Sequence, residues 1–141
     1  MADVLVDTNV LVYAVDPASP RKQRRAIEVL ERLVQAGSGV LSAQSLSEYF
    51  AVVTRKLSPP IPAEQARRNL VHLCRIWPVE SLTAAVVVEA ARGAIRHGMS
   101  FWDAQIWATA KLHGAAEVLS EDFTDGRIMD GIRFTNPFVD L

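Results

Sequence analysis

Four acidic residues stand where the predicted strands and helices of this chain begin or end. Asp7 directly follows the first apolar run, and Asp122 follows the fourth such run by two residues. Asp103 opens a predicted helix, and Glu48 lies within another helix. Carboxylates within about 6 Å of one another raise each other's pKa unless a cation is present. Their oxygens are hard ligands that suit Mg²⁺ or Mn²⁺ better than zinc, so the four acids predict metal-assisted hydrolysis of a phosphate ester.

Other catalytic arrangements are missing from the sequence. It contains no Ser-His-Asp order, no Cys-His pair and no glycine-rich phosphate loop. The three histidines fall on separate predicted helices without the spacing of metal ligands: His72, His97 and His113. The single cysteine, Cys74, allows neither an internal disulfide nor a cysteine-built zinc site, which fits a reducing cytoplasm.

Each acid also has an ordinary structural explanation. Asp103 alone is a common helix cap, and Glu48 alone is a common solvated helix residue. Asp122 and Asp125 are common turn residues. Asp7 is the least ordinary of the set, because an apolar strand leads straight into the three polar residues Asp-Thr-Asn.

The elements that must position these acids alternate along the chain. Short β-branched runs predict five strands, at residues 4–6, 39–42, 79–80, 117–120 and 132–134. Helical spacing of apolar residues predicts helices that begin at Pro20, in the segment 46–57, at Pro62, at Thr83 and at Ser100. This alternation predicts an α/β fold with a central, mostly parallel five-stranded sheet and helices on both faces. Ligands of such sheets bind at the carboxyl ends of the strands.

Length and composition set limits on the class of protein. The 141 residues, half of them hydrophobic and 22% charged, predict one globular domain over 1–141. The longest apolar run, 83–88, is too short for a membrane span, and the start Met-Ala-Asp lacks the basic region of a secretory signal. The net charge of −1 excludes a strongly basic coat, so phosphate binding must depend on local patches or on metal.

Five segments together resemble the PIN-domain family and, within it, the VapC-type toxins. The likeness is carried by VLVDTNVLVY at 4–13, SLSEY at 45–49, SFWDA at 100–104, LSEDF at 119–123 and FTNPF at 134–138. The resemblance covers essentially the whole chain, in order and at family length. It implies a PIN-like domain that acts as a Mg²⁺- or Mn²⁺-dependent endoribonuclease and leaves 3′-hydroxyl and 5′-phosphate ends. It also implies a cognate antitoxin and a homodimer, in the cytoplasm and away from membranes.

The resemblance assigns roles by position. Asp7 and Asp103 would be the main metal ligands, and Glu48 would complete the site and orient or deprotonate the attacking water. Asp122 would hold a second metal or fix the water, although the adjacent Glu121 competes for this position. Further residues would support the ligands or add a fifth acid: Thr8, Asn9, Ser120 and Asp125.

Basic and aromatic side chains add candidates for binding. Contacts to RNA or antitoxin are expected first from Arg21, Lys22, Arg24 and Arg25, and then from the pairs Arg67/Arg68 and Arg92/Arg96. Each of these could equally be a solvated helix residue. Trp102 and Tyr13 are expected to stack on bases, whereas Trp107 and Phe50 are expected to pack in the core or in a dimer contact.

Two other classes remain open on the sequence. One is a PIN-fold module that binds RNA or protein without catalysis. The other is a phosphatase or receiver-like domain that is phosphorylated on Asp7. Phosphatases of the haloacid dehalogenase type need a second Asp two residues after the first, where this chain has Asn9. Both phosphatases and receiver domains need a late lysine, and Lys111 is in mid-helix.

Overall fold

The computed structural model describes residues 3–141, and twelve regular elements alternate along them. The strands are β1 (Val4–Val6), β2 (Gly39–Ser42), β3 (Val79–Glu80), β4 (Glu117–Leu119), β5 (Ile128–Met129) and β6 (Ile132–Thr135). The helices are α1 (Thr8–Tyr13), α2 (Pro20–Ala36), α3 (Ala43–Arg55), α4 (Ala63–Ile76), α5 (Ala84–His97) and α6 (Phe101–Leu112).

The strands form one sheet in the order β3-β2-β1-β4-β6-β5. Every pairing is parallel except that of β5 with β6. The predicted α/β architecture with a mostly parallel sheet is therefore confirmed. The sheet has six strands, however, and not the five that the sequence predicts.

The additional strand, β5, belongs to a tight hairpin. Met129 pairs with Ile132 across the two-residue turn Asp130-Gly131. Both turn residues have positive φ angles, 48° and 82°, as the two central residues of a type I′ turn require. A strand of two residues is too short to produce a periodic pattern, so only its pairing with β6 defines it.

Helix α1 is the second element that the sequence analysis did not anticipate. It begins at Thr8, directly after Asp7, whose side chain accepts a hydrogen bond from the Thr8 backbone N–H. Val10 and Val12 are β-branched, and this local preference favours a continuation of strand β1. The cap at Asp7 and the burial of the helix against the core override this local preference.

Apolar cores lie on both faces of the sheet, which explains the continuous apolar runs in the strands. On one face Leu5 and its neighbours pack against α5 and α6 around the fully buried Trp107. On the other face Val6 and its neighbours pack against α1 to α4 around Tyr49 and Trp77. Over residues 3–141, no helix has both the length and the apolar character to cross a membrane.

Helix ends follow the sequence signals closely. Thr83 and Ser100 cap α5 and α6 by accepting hydrogen bonds from backbone N–H groups three residues ahead, and Gly98 ends α5 in the left-handed conformation. Ser19 occupies the cap position of α2 without a side-chain hydrogen bond.

Gly93 lies where α5 packs tightly against Trp107 of α6. A Cβ atom at this position would lie 2.3 Å from Cζ3 of Trp107. The indole is fixed, because its Nε1–H donates to the carbonyl oxygen of Met129 at 3.1 Å. A side chain at residue 93 therefore requires the two helices to move apart.

We predict that Gly93→Ala lowers the free energy of unfolding by about 1–3 kcal/mol through overpacking, although alanine is about 1 kcal/mol better than glycine in a helix. Urea unfolding measures this difference. The control Ala51→Gly, at an exposed position in the middle of α3, should lose only the propensity difference of about 1 kcal/mol. An alanine variant at residue 93 as stable as the parent would contradict the close approach.

Candidate active site

The pairing of β1 with β4 brings two polar segments to the same edge of the sheet. The strands are parallel, with Val6 opposite Leu119. The Asp7 backbone N–H then donates to the Leu119 carbonyl oxygen at 2.9 Å. Asp7 and Ser120 follow the two strands directly, so their side chains meet although they are 113 residues apart.

The carboxylate of Asp7 is buried and held at both oxygens. Its Oδ1 accepts from the Thr8 backbone N–H at 2.8 Å, and its Oδ2 accepts from the Ser120 hydroxyl at 2.7 Å. Only 4% of the residue is exposed. These bonds fix the direction of the carboxylate at the end of β1.

Asn9 connects α1 with the loop after β4. Its Nδ2 lies 3.1 Å from Ser120 Oγ, 3.3 Å from Asp122 Oδ2 and 3.5 Å from Asp7 Oδ2. Its Oδ1 accepts from the backbone N–H of Glu121 at 3.2 Å. One amide group therefore positions two of the predicted acids relative to each other.

Glu48 reaches the same site from α3. Its Oε2 accepts from the Thr8 hydroxyl at 2.7 Å, and its Oε1 accepts from Gln44 Nε2 at 2.9 Å. The same nitrogen of Gln44 also donates to the Trp102 carbonyl oxygen at 3.1 Å. This second bond connects α3 with the first turn of α6, where Asp103 lies.

Gln44 and Gln105 are functional positions that the sequence analysis missed. Both are buried, and Gln105 Nε2 donates to Gln44 Oε1 at 3.1 Å. One signal was available in the sequence, since Gln105 is a polar residue within the otherwise largely apolar stretch 104–110. A buried amide in such a stretch needs a polar partner, and the partner is the glutamine beside Glu48.

The electrostatics of the site raise the pKa of two carboxylates. Burial raises the pKa of Asp7 to about 7, the hydrogen bonds from Ser120 and Thr8 oppose this, and the nearby acids Asp122 and Glu48 add to it. Burial likewise raises the pKa of Asp103, with the Ser100 hydroxyl opposing and the same two acids adding. Within residues 3–141 none of the four carboxylates pairs with a lysine, arginine or histidine.

This uncompensated cluster of oxygen donors fits a hard divalent cation by its chemistry. The side chains of the described residues do not, however, place three or more acidic, histidine or cysteine groups in position to hold one metal ion. The structure therefore brings the four predicted acids into one electrostatic site, and their assignment as metal ligands stays a prediction.

The structure separates the three acids after β4. The Glu121 carboxylate accepts from the Tyr13 hydroxyl at 2.6 Å and from Lys22 Nζ at 2.9 Å. Asp125 accepts from the Asn136 backbone N–H at 2.9 Å, at the residue that follows β6. Asp122 alone of the three shares Asn9 with Asp7.

The basic residues at the start of α2 have different surroundings. Lys22 lies beside the site, paired with Glu121 and 4.7 Å from the centre of the Tyr13 ring. Arg25 instead donates to the Pro137 carbonyl oxygen and to Asp140 at the chain end. Arg21 and Arg24 are exposed. Their contacts with RNA or antitoxin stay predictions.

The remaining candidates divide in the same way. Arg67 and Arg68 pair with Glu64, and Arg92 pairs with Glu89 and Asp130. Arg96 is exposed. Among the aromatic residues, Trp107 and Phe50 pack in the two cores as predicted, whereas Trp102 is 65% exposed beside Asp103.

The fold and the site define a parallel α/β domain with a carboxylate cluster at the carboxyl edge of its sheet. The family model of the PIN domain matches residues 4–124, so the chain belongs to the PIN-domain family. Comparison with curated proteins finds no significant match.

Solved structures with the same fold include proteins of toxin–antitoxin complexes. One from Klebsiella pneumoniae has a TM-score of 0.69 at 18% identity, over 96% of this chain and 98% of that chain. A DNA-bound VapBC from Salmonella typhimurium has a TM-score of 0.70 at 15% identity, over 97% and 99%. VapC20 of Mycobacterium tuberculosis, a toxin that cleaves the sarcin–ricin loop, has 0.63 at 22%, over 85% and 92%.

We predict that Asp7→Asn stabilises the metal-free protein at pH 8 and that this gain disappears towards pH 4. Because burial raises the pKa of Asp7 from 3.8 to about 7, the folded protein holds this proton more tightly than the unfolded chain does. Ionisation therefore costs stability increasingly as the pH rises from about 4 through 7, by at most about 4 kcal/mol. Urea unfolding in EDTA at both pH values measures the difference.

The control is Asp125→Asn, an exposed acid outside the cluster, whose stability should follow that of the parent at each pH. Added Mg²⁺ should stabilise the parent at pH 8 and have little effect on Asp7→Asn. A loss of stability in Asp7→Asn at pH 8 would contradict the uncompensated charge.

Proposed function

We propose that this protein is a Mg²⁺- or Mn²⁺-dependent endoribonuclease, the toxin of a VapC-type toxin–antitoxin pair. The observation that carries the proposal is the set of four carboxylates at one sheet edge without a basic partner. Membership of the PIN-domain family and the likeness to toxins such as VapC20 support it.

In this proposal the cation is held by Asp7 and Asp103, with Glu48 and Asp122 completing the site. The bound metal would withdraw charge from the phosphate oxygens and lower the pKa of water. Asp7 is held in place by Thr8 and Ser120, so it needs little reorganisation when it binds the metal. Asp122 would add a further carboxylate, which its contact with Asn9 holds in place.

Glu48 is the residue that orients the attacking water and accepts its proton. Its two oxygens are fixed by Thr8 and Gln44, which leaves their remaining lone pairs for water. The oxygen of water forms a bond to phosphorus while the bond from phosphorus to the 3′ oxygen breaks. The leaving oxygen takes a proton from solvent, which gives the expected 3′-hydroxyl and 5′-phosphate ends.

We further propose a cognate antitoxin as the protein partner and the cytoplasm as the location. Neighbours of the fold are toxin–antitoxin complexes, two of them bound to DNA. Cys74 is exposed and unpaired, in keeping with a reducing compartment.

The phosphatase or receiver alternative is disfavoured by the surroundings of two residues. Asn9 occupies the place of the second acid and bridges Ser120 and Asp122. Lys111, the required late lysine, donates instead to Glu89 at 2.6 Å and to Asp130 at 3.2 Å. A PIN-fold module that binds without catalysis would have the same structural features. Only a cleavage assay distinguishes it from the nuclease.

We predict that the purified protein cuts bacterial RNA into discrete fragments with Mg²⁺ or Mn²⁺ and leaves it intact with EDTA. Asp103→Asn should lower the cleavage rate at least about 100-fold, because it removes a charged donor from the site. Sequencing of fragment ends measures both the rate and the sites.

Asp125→Asn is the matched control, since it neutralises an acid of the same region outside the cluster. It should retain cleavage within about twofold of the parent rate. Equal cleavage by Asp103→Asn and parent would show that the site is wrong, whereas metal binding without cleavage would favour the binding module.

We also propose that the protein forms a homodimer, and the exposed face of α5 supports this. Val88 and Ile95 are 72% and 87% exposed. They form one stripe with Ala84 and Ala91 at the 4-3-4 spacing of a helix–helix seam. Two copies of α5 packed about a two-fold axis would bury this stripe as the apolar centre of a contact with a polar rim.

We predict that the protein has twice the 15.5 kDa chain mass in solution and that Ile95→Glu yields the monomer. A buried unpaired carboxylate at the seam costs several kcal/mol. Light scattering after size-exclusion chromatography measures the mass. The control Val139→Glu, at a position 64% exposed outside α5, should stay dimeric, and a dimeric Ile95→Glu would exclude this face.

A further inference from the structure

A cavity of about 500 Å³ adjoins the four acids between α1 and α3. It shares Thr8, Asn9, Glu48 and Asp122 with the site and extends away from it as far as Asp16. Its volume lies in the range of small-molecule sites. Neither the metal nor the attacking water accounts for a space of this size.

The walls of the cavity differ in character. Its apolar part is formed by Val12, Tyr13, Ala51, Val52 and Leu57. Apolar lining of this kind suits the flat, weakly hydrated faces of an aromatic ring. A phosphate group would gain nothing from these side chains.

The polar rim of the cavity is dominated by carboxylates, and its two neutral donors, Thr8 and Asn9, already donate to Glu48, Ser120 and Asp122. The nearby Lys22 ammonium donates to Glu121 and Tyr13, so it does not neutralise the other acids of the rim. The Asp16 carboxylate accepts from the Ala18 backbone N–H through Oδ1. Within residues 3–141 it has no basic partner, and its Oδ2 is available to a donor.

We propose that this cavity binds one unpaired nucleobase of the RNA next to the scissile phosphate, and that it prefers bases with an amino donor. The inference rests on the proposed function and assigns a base-selecting subsite to it. Adenine, cytosine and guanine each carry an exocyclic amino group for Asp16. Uracil offers one imino donor between two carbonyl oxygens, which face the acidic rim unfavourably.

A base bound in the cavity would position the scissile phosphate of the RNA at the four acids. Unpaired bases are the part of RNA that proteins read through stacking and base edges. Because the cavity and the acids share residues, a base in the cavity brings its own phosphate to the carboxylate cluster. Asp16 and Leu57 are thus specificity-determining residues at a distance from the reacting atoms.

The first test measures binding without metal and without cleavage. Adenosine, cytidine, guanosine and uridine are titrated into the protein with ¹³C-labelled Val and Leu methyl groups, observed by NMR. We expect saturable shifts at Val12, Val52 and Leu57, and affinity for uridine at least about fivefold weaker than for the other three, about 1 kcal/mol. Asp103→Asn should bind the nucleosides as the parent does.

The second test uses variants of the cavity and a matched control. Leu57→Glu should abolish the nucleoside shifts, whereas Leu112→Glu, at a position 47% exposed on α6, should keep them. Asp16→Asn should erase the preference over uridine. In oligoribonucleotide cleavage both cavity variants should raise KM at least about fivefold and change the base at the cut, with kcat within about twofold of the parent.

The outcomes separate the two proposals. Nucleoside binding at these methyl groups without any RNA cleavage would retain the subsite and count against the nuclease. Cleavage that persists while no nucleoside shifts the methyl groups, or while uridine binds as well as the others, would overturn the subsite alone. Shifts with N-acetylarginine amide and none with nucleosides would assign the cavity to a protein partner and likewise overturn it.

Discussion

The ionisable carboxylate of Asp7, buried at the end of β1, is the constraint on which the rest of the site depends. It lies in a position without a positive partner, and its burial raises its pKa to about 7. The free-energy cost of burying this carboxylate is partly offset because the Thr8 backbone N–H and the Ser120 hydroxyl donate hydrogen bonds to its two oxygens. Each neighbour of Asp7 then binds a further acid: Thr8 binds Glu48, and Asn9 contacts Asp122. A group that is expensive to bury thus organises the cluster around it.

The arrangement relates stability to function. Like charges at the sheet edge destabilise the folded protein in the absence of a cation, and a bound cation would relieve this repulsion. Elsewhere in the site, neutral amides position the acids. Gln105 donates to Gln44, and Gln44 in turn donates to Glu48 and to the first turn of α6. Such amides hold the acids in place and leave their negative charge, whereas a lysine or arginine would neutralise it. The negative potential therefore stays available for a metal ion.

Much of the fold follows from local rules. The buried strands β1, β2 and β4 are short apolar runs, and both their existence and their parallel pairing are predictable from alternation with helices. The caps at Thr83 and Ser100 and the left-handed Gly98 come from side-chain chemistry within one turn. The errors occur where a helix cap, burial or strand pairing outweighs the local preference of the residues. Helix α1 forms from β-branched residues because of its cap and its burial, and β5 exists only through its pairing with β6.

For the site, the sequence by itself indicated that Asp7 and Asp122 lie at one edge of the sheet, because both follow parallel strands. Glu48 and Asp103 lie in helices, so their approach to this edge depends on how those helices pack. The sequence could not distinguish Glu121 from Asp122, since adjacent acids have the same chemistry and the same place in the chain. The tertiary structure separates the surroundings of the two carboxylates: Glu121 binds Lys22, which is 99 residues away in the chain, and Asp122 contacts Asn9, which is 113 residues away. The pairing of the buried residues Gln44 and Gln105 is likewise visible only in the tertiary structure. Side-chain direction depends on partners that only folding brings together, whereas the order of strands and acids is written in the chain itself.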